Sequence, residues 1–142
     1  MTAAKRPLLH DMSWVLEPLL VLTGVRHAVI LSADGLVAGA SPGLTREARE
    51  GAAAMMSALQ GAARSVASEL SGDARARLEQ VVVAVDSGFV FAVPAGENTV
   101  LALFAEKSAD LEIVAYHVQI QVATLGEKVM TSKARTTGAH RP

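Results

Sequence analysis

Apolar residues recur along this chain in two rhythms, and the places where one gives way to the other mark its elements. From Trp14 the run Trp14, Val15, Leu16, Leu19, Leu20 and Leu22 reads as a short helix ended by Gly24, with Asp11 or Ser13 as its cap. Pro18 must either kink that helix or mark its true first turn, because proline lacks an amide donor and crowds the turn before it. Val25 to Leu31 and Leu36 to Ala40 then read as strands, joined through Ser32-Ala33-Asp34-Gly35 into a hairpin. Ser41-Pro42-Gly43 breaks the extended chain, and Thr45 is placed to cap a second helix.

That second helical signal is long, running from Leu44 to Leu70, and it carries two distinct rows. Ala48, Ala52, Met55, Leu59, Ala62, Val66 and Leu70 form an apolar stripe at helical spacing, expected to cover a sheet. Beside it Gly51, Ala54, Ala58, Gly61, Ser65 and Ser68 form a row almost without side-chain bulk. Each glycine weakens a helix interior by about 1 kcal/mol relative to alanine, and close packing against a second helix would explain the two of them. A generic alanine-rich exposed face is the plain alternative.

Leu78 to Val85, Phe89 to Val93 and Thr99 to Ala105 read as a meander of three strands, turned at Asp86-Ser87-Gly88 and at Pro94 to Asn98. Their apolar residues fall on both faces, as in a sheet sandwiched between helices. Asp110 is placed to cap a final helix along Leu111, Val114, Val118, Val122, Leu125 and Val129, with Ile113, Tyr116 and Ile120 widening its buried arc. The order is helix, two strands, long helix, three strands, helix. Residues 10–130 make one domain, with flexible tails at 1–9 and 131–142; the second tail carries Lys133, Arg135 and Arg141 and no acid.

Composition sharpens this picture. The 142 residues are 51% hydrophobic and only 19% charged, so the surface must be poor in charge, and self-association is one remedy for that. Thirteen basic residues against fourteen acids give no general attraction to nucleic acid, and no apolar run is long enough to cross a bilayer. The absence of cysteine excludes disulfides, thiolate metal sites and cysteine nucleophiles. No apolar leader follows Lys5 and Arg6, so a cytoplasmic protein is expected.

No constellation for catalysis emerges. His10, His27, His117 and His140 lack metal-ligand spacing, although folding could bring His27 and His117 together. Ser87 has no adjacent base, and Asp34 and Asp86 could act as paired acids only if their turns met. Gly35, Gly39 and Gly43 lack the lysine and hydroxyl ending of a phosphate loop. No cofactor or metal is expected, and the chain reads as an assembly protein rather than an enzyme.

The segments Gly24-Val25-Arg26-His27-Ala28-Val29, Leu31-Ser32-Ala33-Asp34-Gly35-Leu36 and Gly88-Phe89-Val90-Phe91, with Trp14 and Leu16 ahead of them, resemble the Roadblock / dynein light-chain family, especially small actinobacterial members. The resemblance runs from about Met12 to Met130. It implies an α+β, profilin-like three-layer sandwich: a five-stranded antiparallel sheet with the long helix on one face and the terminal helices on the other. It implies dimers formed through the long helix and the strand after it, here Gly51, Ala54, Met55, Ala58, Gly61, Ser65, Ser68, Val81 and Val83. It further implies a noncatalytic regulator or scaffold for a Ras-like small GTPase, in sets that also contain a sensor histidine kinase. No arginine is assigned as a finger toward such a GTPase; Arg46, Arg49, Arg64, Arg75 and Arg77 are candidates by charge alone. Two other readings stand beside it: a small-ligand sensor domain and a purely structural homodimer.

Overall fold

The computed structural model describes the backbone of residues 11–139 and the side chains of residues 11–127. The chain folds as a short 3-10 turn (Ser13–Leu16), α1 (Glu17–Leu20), β1 (Val25–Ser32), β2 (Val37–Ala40), α2 (Arg46–Ser71), β3 (Val81–Val85), β4 (Gly88–Pro94), β5 (Thr99–Glu106) and α3 (Leu111–Ala139). The five strands form one antiparallel sheet in the order β2-β1-β5-β4-β3. The expected element order therefore holds. β3 is shorter than its apolar run, since Leu78 to Gln80 stay outside the ladder.

Local chemistry explains the joints. Pro18 sits in the first turn of α1, where a missing amide costs nothing, and the expected single helix divides into a 3-10 turn and this α1 turn. Gly24 takes φ +89° to leave the helix for β1. The Thr45 hydroxyl accepts from the Ala48 amide at 3.1 Å and starts α2. Gly72, at φ +75°, ends it in the left-handed conformation. Asp110 caps α3 by accepting from the Glu112 and Ile113 amides.

α3 runs past Met130, where the sequence places the start of a tail, to Ala139. Extending a helix already nucleated needs no apolar stripe, and Lys133, Ala134 and Arg135 are good helix formers. Met1 to Leu9, read as the first tail, lie outside the described residues.

Two cores flank the sheet. Val15, Leu16 and Leu19 join Val114, Val118 and Leu125 of α3 over Ile30, Phe91, Val93, Leu101 and Leu103. On the other face α2 sets Ala53 and Met56 over Val29, Leu31, Val100 and Ala102. α2 packs against β1 and β2, so it covers one half of its face, and among the described residues no helix covers the β4–β3 half.

That offset overturns one expectation. The residues α2 turns to the sheet are Ala53, Met56 and Gln60, flanked by half-buried Arg49, Ala63 and Ala67. From the expected stripe, Met55, Val66 and Leu70 are 69%, 55% and 85% exposed. Small residues let the helix lie close to β1, and the bulky stripe is rotated onto its flank. α3 departs from expectation in the same way. Val114, Val118 and Leu125 are buried, but Leu111, Ile113, Tyr116 and Ile120 are exposed. Val129 lies outside the residues whose side chains are described.

Candidate functional site

The uncovered half of the α2 face is the most distinctive surface of the chain. Strand alternation sends Val90 and Ala92 of β4 to this face, and the pairings Val83↔Val90 and Val81↔Ala92 put Val83 and Val81 on it as well. β5 contributes Ala102 and Phe104, and β1 contributes His27, which sits opposite Phe104. Ala52, Met55, Met56 and Leu59 of α2, with Leu44 in the loop ahead of it, form the wall. Between wall and floor runs a groove of about 420 Å³, lined almost wholly by apolar atoms.

The strand beside the groove is, among the described residues, an edge of the sheet. β3 pairs with β4 on one side only, and its Val82 and Val85 are 46% and 45% exposed. An edge strand rich in valine, with unpaired amides and carbonyls, is a template for another strand.

His27 closes one end of the groove. Its Nδ1 lies 3.2 Å from the Ser41 hydroxyl, which is buried and accepts from the Ala28 amide at 3.1 Å. Gly43 lets the ring pass, for a Cβ there would stand 2.9 Å from its Cε1. The imidazole is thus a packed wall of the groove, its ring held on two sides.

The expected interface residues fall into two groups. Met55 lines the groove, and Val81 and Val83 lie on the same sheet face on the strand next to β4. Of the others, Ala54, Ala58 and Ser65 are exposed on α2, Gly51 and Ser68 are half-buried, and Gly61 lines a separate hollow with Ser32, Ser57 and Pro94. A Cβ at Gly51 or Gly61 would meet nothing within 4 Å, so nothing inside one chain requires glycine there. Val90, Phe104 and Leu44 were missed by sequence reasoning. The alternation of β4 and β5 marks Val90 and Phe104 as sharing a face, but only the position of α2 shows that the face is open.

The remaining candidates separate. His27 lies on the α2 side, whereas His117 is on α3, stacked edge-on against Tyr116 across the sheet. Asp34 and Asp86 sit in turns at opposite ends of the sheet, given the pairings Ser32↔Thr99 and Gly88↔Glu106. Asp34 accepts from the Ser32 hydroxyl within its own hairpin. Among the arginines, Arg46 pairs with Glu50, and Arg49 is half-buried and donates to the Leu44 carbonyl at 3.0 Å. Arg64, Arg75 and Arg77 are exposed. Among the described residues no group of three or more His, Asp and Glu is placed to hold a metal, and no helix is long and apolar enough to cross a membrane.

Among the described residues the sheet is thus covered unequally on its two faces, with an apolar groove beside an edge strand. The Roadblock/LC7 domain model matches residues 13–105, and the chain belongs to that family. Members of this family are noncatalytic scaffolding and regulatory domains, and the protein is not an enzyme. A Roadblock/LC7 domain from Streptomyces avermitilis is 33% identical, with a TM-score of 0.78 over 84% of this chain and 98% of that one. The gliding protein MglB from Thermus thermophilus is 24% identical, with a TM-score of 0.70 over 86% of this chain and 90% of that one. MglB from Myxococcus xanthus shares the fold at 12% identity and a TM-score of 0.75, over 84% of this chain and 94% of that one. No curated protein matches the chain.

Proposed function

We propose that this chain is a homodimeric regulator or scaffold for a Ras-like small GTPase in a bacterial signalling complex, working beside a sensor histidine kinase. The observation that carries the assembly half of this reading is the apolar groove beside the β3 edge. A second copy laid against it would cover Met55, Val90 and Phe104 and pair β3 with β3, joining two sheets into one. The small-residue row from Gly51 to Ser68 then lies along the same helix, where small side chains admit a close partner. The family resemblance supports the GTPase half. A dimer that favours one arrangement of its partner's switch segments shifts that partner's population without chemistry of its own.

The test is calorimetric titration of the protein with the small GTPase encoded nearest its gene, loaded in turn with GDP and with a non-hydrolysable GTP analogue. Nucleotide-dependent binding is the expected result. Equal binding to both forms would make the protein a scaffold without switch sensitivity. No binding, together with a monomer in solution, would overturn the proposal in favour of a small-ligand sensor, since the groove has the volume of an ordinary ligand site.

A further inference from the structure

Among the described residues His27 is the one side chain lining the groove that titrates; the others are aliphatic, aromatic or thioether. Its ring is half-buried, and its two nitrogens are served differently. Nδ1 lies against the Ser41 hydroxyl, which accepts from the Ala28 amide and lies 3.3 Å from the Ala28 carbonyl. A hydroxyl both donates and accepts, so this contact suits the neutral ring and the charged one alike. Nε2 has no hydrogen-bond partner among the described residues and depends on solvent.

The charges around the ring are already engaged. Arg26 of β1 and Glu106 of β5 line a depression beside it, and they pair with each other. The turn between β3 and β4 brings only the uncharged Ser87 to that depression. On the α2 side Arg49, itself a cation, donates to the Leu44 carbonyl, and Arg46 is paired with Glu50. Glu106 is thus the one acid that shares a hollow with the imidazole, and Arg26 holds it.

We propose that His27 makes the pairing of two copies pH-sensitive: the contact forms over a neutral imidazole and loosens when the ring takes up a proton. This rests on the reading that a second copy covers the groove. Apolar surface laid there removes the solvent on which Nε2 depends. A neutral ring tolerates that loss at small cost, whereas an imidazolium would be left with neither water nor a counter-charge. Each copy brings one His27 to an isologous interface, so two charged copies must shed two protons to pair. Once the rings are charged, Kd should rise by up to about 100-fold for each further pH unit of acidification.

Sedimentation velocity of the full-length chain at pH 7.5 and pH 5.5, across a concentration series, tests this. Imidazoles ordinarily change charge in that window, and carboxylates and guanidinium groups do not. Kd should be at least about tenfold higher at pH 5.5, with circular dichroism unchanged. In His27→Gln the two values should agree within about threefold, although His10, His117 and His140 remain. A second readout needs no variant to fold: in the unmutated chain the His27 Cε1–H resonance should titrate at lower pH above the dimer Kd than below it. An equal Kd at both pH values would overturn the inference while leaving the dimer in place. So would a pH dependence that survives His27→Gln, or a His27 titration that concentration does not move. A monomer at both pH values would overturn the groove reading itself, and this inference with it.

Discussion

Truncating Met55 separates the stability of one chain from the affinity between two. Its side chain is 69% exposed, so Met55→Ala removes little that the monomer buries, and alanine is the better helix former. If the groove is covered by a second copy, that exposed portion goes out of water on pairing. Full burial of a methionine is worth about 1.5–3 kcal/mol, and two thirds of it about 1–2. An isologous interface contains the residue twice, so the loss doubles to roughly 2–4 kcal/mol, or a 30- to 1,000-fold weaker Kd. Sedimentation velocity across a concentration series reads this directly. Urea unfolding below the dimer Kd should show the variant within about 0.5 kcal/mol of the parent. A dimer Kd within about threefold of the parent's would refute the reasoning. So would a matching loss of monomer stability, which would make Met55 a core residue after all.

Other positions test the fold and the small-residue row. A Cβ on Gly88 would stand 2.2 Å from the Ala105 carbonyl oxygen, so Gly88→Ala should force β4 from β5 and cost about 2–4 kcal/mol by urea unfolding. Gly61→Ala should stabilise the chain by up to about 1 kcal/mol in the same assay, because a Cβ there meets no atom within 4 Å. Gly61→Trp should keep the far-ultraviolet spectrum and weaken the dimer; unchanged dimerisation would remove the small-residue row from the interface. Thr45→Ala deletes the hydroxyl that accepts from Ala48, and a loss of about 1 kcal/mol is expected in thermal melts.

The order of elements was legible because each carries its own local signal. Pro18 and Gly24 bracket α1, Asp34-Gly35 turns the first hairpin, Thr45 and Gly72 bracket α2, and the valines of β3 have no helical reading. What escaped sequence reasoning was the side each helix turns inward. A helical wheel ranks Met55, Val66 and Leu70 above Ala53 and Gln60, because bulk raises hydrophobicity. Close approach to β1 selects small side chains instead, and no local pattern records that α2 covers only half of a sheet. The same blindness placed Ile113, Tyr116 and Ile120 in the core. A helix apolar on two sides does not declare in sequence which side meets its own sheet.

Both misreadings point the same way. The sheet's central strands are already complete: Ile30, Leu101 and Leu103 are covered by α1 and α3, and Val29, Leu31 and Ala102 by α2. Trp14, Val21 and Leu36 are exposed singly, while the other large exposed apolar residues lie along α2, on β3 and along α3. Scattered exposed apolar residues are normal in a monomer, whereas contiguous patches on a chain with only 19% charged residues are the mark of surfaces meant to be covered. Those along α2 and those along α3 lie on opposite layers of the sandwich, so covering one group leaves the other free.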